Sequence, residues 1–158
     1  MLAGAVAAAL AIAAQAASKG GAPAAREAAP AEAPIVAEAR AFMESYAVDL
    51  RSGDRAAIAA RYDRRGAYRL GGGRKHHDSH AAIVANYATQ WAPPAAFEWR
   101  DLSFEPAGPD AVIVAGTFLW TVKAGDAPLV YSYTGLLVRQ DGVLRIRLED
   151  EDPAPRER

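Results

Sequence analysis

The sequence predicts an α+β domain in which helices come first and a curved antiparallel sheet follows. Three observations carry that expectation. Apolar residues recur at helical spacing as far as Trp91, and Pro93-Pro94 closes that half of the chain. From Phe97 onward, runs rich in β-branched and aromatic residues are separated by Gly125-Asp126 and Asp141-Gly142, which are turn and hairpin signals.

Residues 35–51 read as a helix, because Ile35, Ala39, Phe42, Tyr46 and Leu50 recur at spacings of three and four. Gly53 suits a left-handed cap at its end, and Asp54 caps a short second helix over 55–62. Residues 63–66 read as a turn and 67–70 as a short strand, ended by Gly71-Gly72-Gly73. Asp78 or Ser79 caps a third helix over 80–90, with Ile83, Val84, Tyr87 and Trp91 along one side. Four strands are expected after it, over 97–105, 111–123, 129–139 and 143–150.

The chain has 158 residues, 51% hydrophobic and 23% charged, which suits one globular domain with sequence to spare. Its 18 basic and 19 acidic residues carry no basic excess, so a nucleic-acid partner is not expected. The absence of cysteine excludes disulfides, thiolate metal sites, a cysteine nucleophile and a lipid-anchored lipoprotein. Residues 2–14 are unbroken apolar sequence ending in the small-x-small triplet Ala14-Gln15-Ala16. That reads as a signal peptide over 1–16, although no Lys or Arg precedes it; an Ala-rich helix is the plainer alternative. Residues 17–34, rich in Ala and Pro, read as a disordered linker. The domain is placed at 35–152 and a flexible tail at 153–158. The expected location is periplasmic or secreted, with no membrane contact after cleavage.

The turns assign the faces of the sheet. A two-residue loop at Asp141-Gly142 pairs Gln140 with Val143, Leu137 with Ile146 and Tyr133 with Asp150. A two-residue loop at Gly125-Asp126 sets Tyr133 opposite Phe118. The inner face then collects Val114, Phe118, Trp120, Tyr131, Tyr133, Leu137, Ile146, Leu148 and Asp150. The outer face collects Thr117, Leu119, Thr121, Ser132, Thr134, Leu136, Arg145, Arg147 and Glu149, and is open to solvent or to a homodimer. Asp150 is the odd member of the apolar face, and the phenol of Tyr133 is its expected partner.

The element order, with Tyr46-Ala47-Val48-Asp49-Leu50-Arg51-Ser52-Gly53-Asp54, Ala57-Ile58-Ala59-Ala60-Arg61-Tyr62 and the hairpin Asp141-Gly142-Val143-Leu144-Arg145-Ile146, resembles the nuclear transport factor 2-like superfamily. The subgroup it resembles is SnoaL-like, the relatives of polyketide cyclases and ketosteroid isomerases. The resemblance implies a cystatin-like α+β roll: a cone in which a curved, antiparallel or mixed sheet wraps three N-terminal helices and leaves a pocket at its open end. It maps the isomerase's oxyanion-binding tyrosine onto Tyr46. It maps the catalytic base near Arg69 or Leu70 and the second acid near Thr134, none of which can fill those roles.

The candidate catalytic residues are Asp150, Tyr46, His76 and His77. Histidine is the natural base near neutrality, and all three histidines fall in His76-His77-Asp78-Ser79-His80. A solvated loop is the plain alternative for that segment, and core packing for Tyr46. The candidate ligand-binding residues are Trp91, Phe118, Trp120, Tyr131 and Tyr133, either an aromatic-lined cavity or an aromatic core. The run Glu149-Asp150-Glu151-Asp152 reads as a solvated strand end, with Asp150 as its pocket-lining member. No metal or cofactor is expected. Three functions stay open: an exported protein that binds a small apolar or aromatic molecule, a cyclase, dehydratase or isomerase, and a dimeric interaction module.

Overall fold

A computed structural model describes residues 32–154. The expected signal peptide, the linker up to residue 31 and the tail from residue 155 lie outside the described residues. The elements in chain order are α1 (Pro34–Ser52), α2 (Arg55–Ala60), β1 (Ala67–Gly71), β2 (Arg74–Asp78), α3 (His80–Thr89), β3 (Ala96–Pro106), β4 (Ala111–Thr121), β5 (Leu129–Gln140) and β6 (Val143–Pro153).

The helices begin and end where local chemistry directs. Pro34 opens α1, where a missing N–H costs nothing. Gly53 closes it at φ 72°, its N–H bonded to the Asp49 carbonyl. Asp54 accepts the Ala57 N–H at 2.9 Å, and Ser79 accepts the Ala82 N–H at 3.2 Å. The end of α2 is clamped to α1 by Arg61, whose Nε donates to Asp49 at 2.6 Å while its guanidinium covers the Phe42 ring at 5.1 Å.

The six strands form one sheet in the order β2-β1-β6-β5-β4-β3. Neighbours are antiparallel except β1 and β6, which run parallel, so the sheet is mixed. α1, α2 and α3 cover one face, and Met43, Ile58, Ile83, Val112, Val114, Leu137, Leu144 and Ile146 are buried between the layers. At about 25 cal/mol per Å² of apolar surface removed from water, this layer is the main source of stability. Of the expected inner face, Val114, Phe118, Tyr133, Leu137 and Ile146 are buried there.

The registers correct three expectations. Residues 122–128 make a wider connection than a two-residue loop, so Phe118 faces Tyr131 and not Tyr133. That shift is even, so it preserves the faces. The last hairpin starts as expected, with Gln140 opposite Val143 and Leu137 opposite Ile146. Leu136 then faces Leu148, which leaves Arg147 as an extra residue on β6. A single inserted residue reverses the alternation beyond it. Gly135 therefore faces Glu149, and Tyr133 faces Glu151. Asp150 and Leu148 leave the inner face, and Glu149 enters it.

The third correction concerns the histidine segment, which is a strand and not a loop. Gly72 and Gly73 take φ 55° and 76°, the left-handed pair that a tight hairpin turn needs. β2 therefore folds back on β1, with Arg69 opposite His76 and Ala67 opposite Asp78.

The outer face mixes exposed apolar residues, Ile113 and Val130 among them, with Ser132, Thr134 and Arg145. The homodimer expectation concerns this face. Among the described residues, no helix is long and apolar enough to cross a membrane.

Tyr133 and Gly135 share the inner face of β5, and the tyrosine ring lies over the glycine. A Cβ at Gly135 would meet the Tyr133 hydroxyl at 2.5 Å. That hydroxyl is buried, with the residue 1% exposed, and has no hydrogen-bond partner among the described residues. An orphan polar atom costs stability. Tyr133→Phe is therefore expected to leave stability unchanged or raise it by up to about 1 kcal/mol in urea denaturation. Gly135→Ala is expected to lower it by about 1–3 kcal/mol, and by less in the Tyr133→Phe background. A marked loss in Tyr133→Phe alone would show that the hydroxyl has a partner after all.

Candidate functional site: a two-chamber cavity in the cone

The concave face of the sheet and α3 enclose two connected spaces. The outer one, about 860 Å³, is polar and is bounded by β1, β2, α3 and the end of β6. Its walls include His76, Asp78, Asn86, Gln90 and Glu149. The inner one, about 240 Å³, is aromatic: Tyr46, Tyr87, Trp91, Phe97, Trp99, Phe118, Trp120 and Tyr131 line it. Arg69, Trp91, Tyr131 and Glu151 belong to both spaces, so a cation and a carboxylate stand at the waist between them.

The strand pairing explains the polar groups. Arg69 and Glu149 are direct partners in the parallel β1–β6 ladder, and the bulge at Arg147 turns Glu149 inward. Arg69 Nε donates to Glu149 at 3.0 Å and lies 3.7 Å, through Nη1, from Asp78. The Tyr62 hydroxyl sits 2.8 Å from both Glu149 oxygens and 2.8 Å from the Tyr87 hydroxyl. A phenol has one proton, so Tyr62 donates to Glu149 and Tyr87 donates to Tyr62. Tyr46 closes the group, its hydroxyl 3.4 Å from that of Tyr62. His76 extends the polar line outward, with Nε2 3.4 Å from Asp78.

Every contact to Glu149 comes from a donor, which is the arrangement of an ionised carboxylate. Its residue is only 4% exposed, and this burial raises its pKa above the usual glutamate value, against the opposing pull of Arg69 and Tyr62. Burial also works against the charge of Arg69, but Glu149 outweighs it and holds the guanidinium protonated. Glu151 is pushed up to about 8, first by desolvation and then by the nearby Glu149 charge. Glu151 is an exposed residue at the open end of the cavity, so solvent reaches its carboxyl and weakens that rise. Burial likewise raises the phenols of Tyr46, Tyr62, Tyr87 and Tyr133, which stay protonated donors.

The sequence-predicted residues separate cleanly. Trp91, Phe118, Trp120, Tyr131 and Tyr46 line the inner chamber, and His76 lines the outer one. Tyr133 lies beneath the chamber, packed on Trp99 at 4.9 Å between ring centres, and does not line it. Asp150 faces away, paired with Thr134 on the outer side. His77 is also outside, against the Tyr68 ring at 5.0 Å. The residues that sequence reasoning missed are Arg69, Asp78, Glu149, Glu151, Tyr62 and Tyr87. For Glu149 and Glu151, the acidic run was the available signal; only the parity was misjudged. Among the described residues, no group of three or more His, Asp or Glu is placed to hold a metal ion.

No family model matches the chain, and no curated protein does. Solved structures do match. A nuclear transport factor 2-like protein of unknown function from Shewanella oneidensis superposes with a TM-score of 0.64 at 12% identity, covering 73% of this chain and 97% of that one. A cystatin-like fold protein from Burkholderia xenovorans gives 0.64 at 19% identity, covering 80% and 96%. A candidate scytalone dehydratase from Novosphingobium aromaticivorans gives 0.58 at 10% identity, covering 75% and 83%. At such identities the likeness speaks for architecture and not for activity. The chain has the nuclear transport factor 2-like fold, a cystatin-like α+β arrangement of helices against one curved sheet.

Proposed function

We propose that the protein binds a small molecule whose flat, ring-bearing part enters the inner chamber and whose polar part rests at the Arg69–Glu151 waist. The observation that carries this reading is the chamber wall: eight aromatic side chains around about 240 Å³, with Arg69 and Glu151 as its charged members. That is the usual construction of a small-molecule site, an apolar slot with a few converging polar atoms. The apolar run at residues 2–14 adds export to the reading. A titration with 2-naphthol, followed by tryptophan fluorescence, tests it. Saturable quenching is expected, because Trp91, Trp99 and Trp120 all face the chamber. Trp120→Ala is expected to weaken binding at least about tenfold, or roughly 1.4 kcal/mol. The absence of saturable quenching in the folded protein overturns the reading.

A second reading, acid–base turnover of the bound molecule, is favoured by the unequal carboxyls. Two neighbouring acids in different surroundings are common equipment for proton transfer. Glu149 accepts from Tyr62 and Arg69, while Glu151 has no donor; burial raises both carboxyls, Glu151 to about 8. A protonated Glu151 is then a proton donor at neutrality, and a hydroxyl relay runs from Tyr87 through Tyr62 to Glu149. The fold is shared with a candidate scytalone dehydratase, which is compatible with lyase chemistry.

The raised carboxyl has a definite consequence for stability. The folded state holds the Glu151 proton more tightly than the unfolded chain does. The group's stabilising contribution is thus complete below the unfolded value near 4.3 and is lost as pH rises through about 8. Glu151→Gln removes that loss. Its Tm relative to the parent is expected to rise between pH 5 and pH 9, by a few degrees at most, since solvent reaches the carboxyl. A difference that stays flat over this range removes Glu151 as the proton donor.

A further inference from the structure

We infer that the ligand carries an organic ammonium group, held by the aromatic walls of the inner chamber and the unpaired carboxylate of Glu151 at its mouth. This rests on the reading that the cavity binds a small molecule, and it names the ligand's chemical class.

Among the described side chains, the charges that line the cone do not balance. Asp78, Glu149 and Glu151 face the two spaces, against Arg69 and the weakly basic His76. Arg69 is engaged by Glu149 at 3.0 Å and by Asp78 at 3.7 Å. His76 also turns to Asp78, at 3.4 Å. Among the described side chains, none forms a hydrogen bond or salt bridge with the Glu151 carboxyl. One carboxyl is therefore left over, at the place where the chamber opens. A neutral ligand that displaced water would strand it, and it would have to take up a proton. A cationic ligand would pair with it instead.

The walls suit the same ligand. Phe118 and Tyr131 are stacked, at 7°, but other rings meet steeply: 78° between Trp91 and Trp120, 83° between Trp99 and Phe118, and 60° between Tyr87 and Trp91. The ring planes therefore take several directions around a guest. Ring faces carry negative quadrupole potential and attract alkylammonium groups, tryptophan most strongly. One cation is already accommodated there, since the Arg69 guanidinium lies 5.9 Å from the centre of the Tyr87 ring. Its charge is spent on Glu149 and Asp78, which leaves Glu151 to the ligand.

The test compares benzyltrimethylammonium with neopentylbenzene, its uncharged carbon isostere, by tryptophan quenching on the full chain. The ammonium is expected to bind at least about tenfold more tightly. Glu151→Gln is expected to cut that preference at least about threefold while leaving isostere affinity within about twofold, and Glu151→Asp, which keeps the charge, to retain it. Circular dichroism establishes that each variant is folded. Equal or tighter binding of the isostere overturns the inference and leaves the small-molecule reading standing. Binding of neither compound, with no response to 2-naphthol, overturns both.

Discussion

At Arg147, β6 changes neighbours, and the interior of the cone depends on how it does so. Up to Ile146 the strand is pinned to the end of α2, with the Ile146 N–H bonded to the Arg61 carbonyl and the Asp63 N–H to the Ile146 carbonyl. From Leu148 it pairs with β1. The turn between those partners has to be bridged, and the Arg147 side chain does so by donating to the Gly66 carbonyl at 2.6 Å. One extra residue in β6 is the local solution. Its consequence is global, because a strand carries side chains on alternate faces and an inserted residue exchanges them. Without it, Leu148 and Asp150 would face the helices, and Glu149 and Glu151 would face water.

The exchange places an ionisable group where it is expensive. A carboxylate at the position of Glu149 forgoes most of its hydration, and the arginine beside it forgoes much of its own. The fold offsets this with geometry set by the backbone. Arg69 and Glu149 are ladder partners, so their separation is fixed by strand pairing and does not require two long side chains to find each other. Tyr62 comes from the chain that β6 itself pins, by a bridge between Tyr62 and Ile146. The same contacts that close the cone therefore aim the donors. Well-packed apolar residues in these positions would serve stability at least as well. A cluster of this cost, opening onto a cavity, is better explained by what the cavity holds than by what the core needs.

Much of the architecture was legible because it follows from local rules. Helical spacing located α1 and α3, the Gly53-Asp54 pair located the break before α2, and Asp141-Gly142 fixed the start of the last hairpin. The aromatic members of the site were legible for the same reason: Phe118, Trp120 and Tyr131 sit on one face under any even register. The acids were not, because their face depends on a bulge, and a bulge here answers to the junction of α2, β1 and β6, which lies outside the local sequence. β2 was missed because charged residues and histidine have low strand preference, and only the return of the chain on Gly72-Gly73 makes them a ladder. Tyr62 and Tyr87 read as plain core residues; their hydroxyls matter only once Glu149 lies between them.

The two chambers divide a recognition problem between elements that respond differently to change. The inner walls come from β3, β4 and β5 with α1 and α3, and these rings pack on one another: Phe97 on Trp99 at 4.8 Å and Phe118 on Tyr131 at 5.0 Å. A change in one ring is felt by its neighbours, so this half fixes the shape of the guest. The outer walls come from the β1–β2 hairpin, α3 and the end of β6. Their side chains face open space, so substitution there alters charge and hydrogen bonding with little effect on the core. The waist residues Arg69 and Glu151 belong to both halves. Arg69 is fixed by its partners, and Glu151 is free to respond to whatever enters. On this construction, the rings set which molecules fit, and the protonation of one unpartnered carboxyl sets which charge they carry.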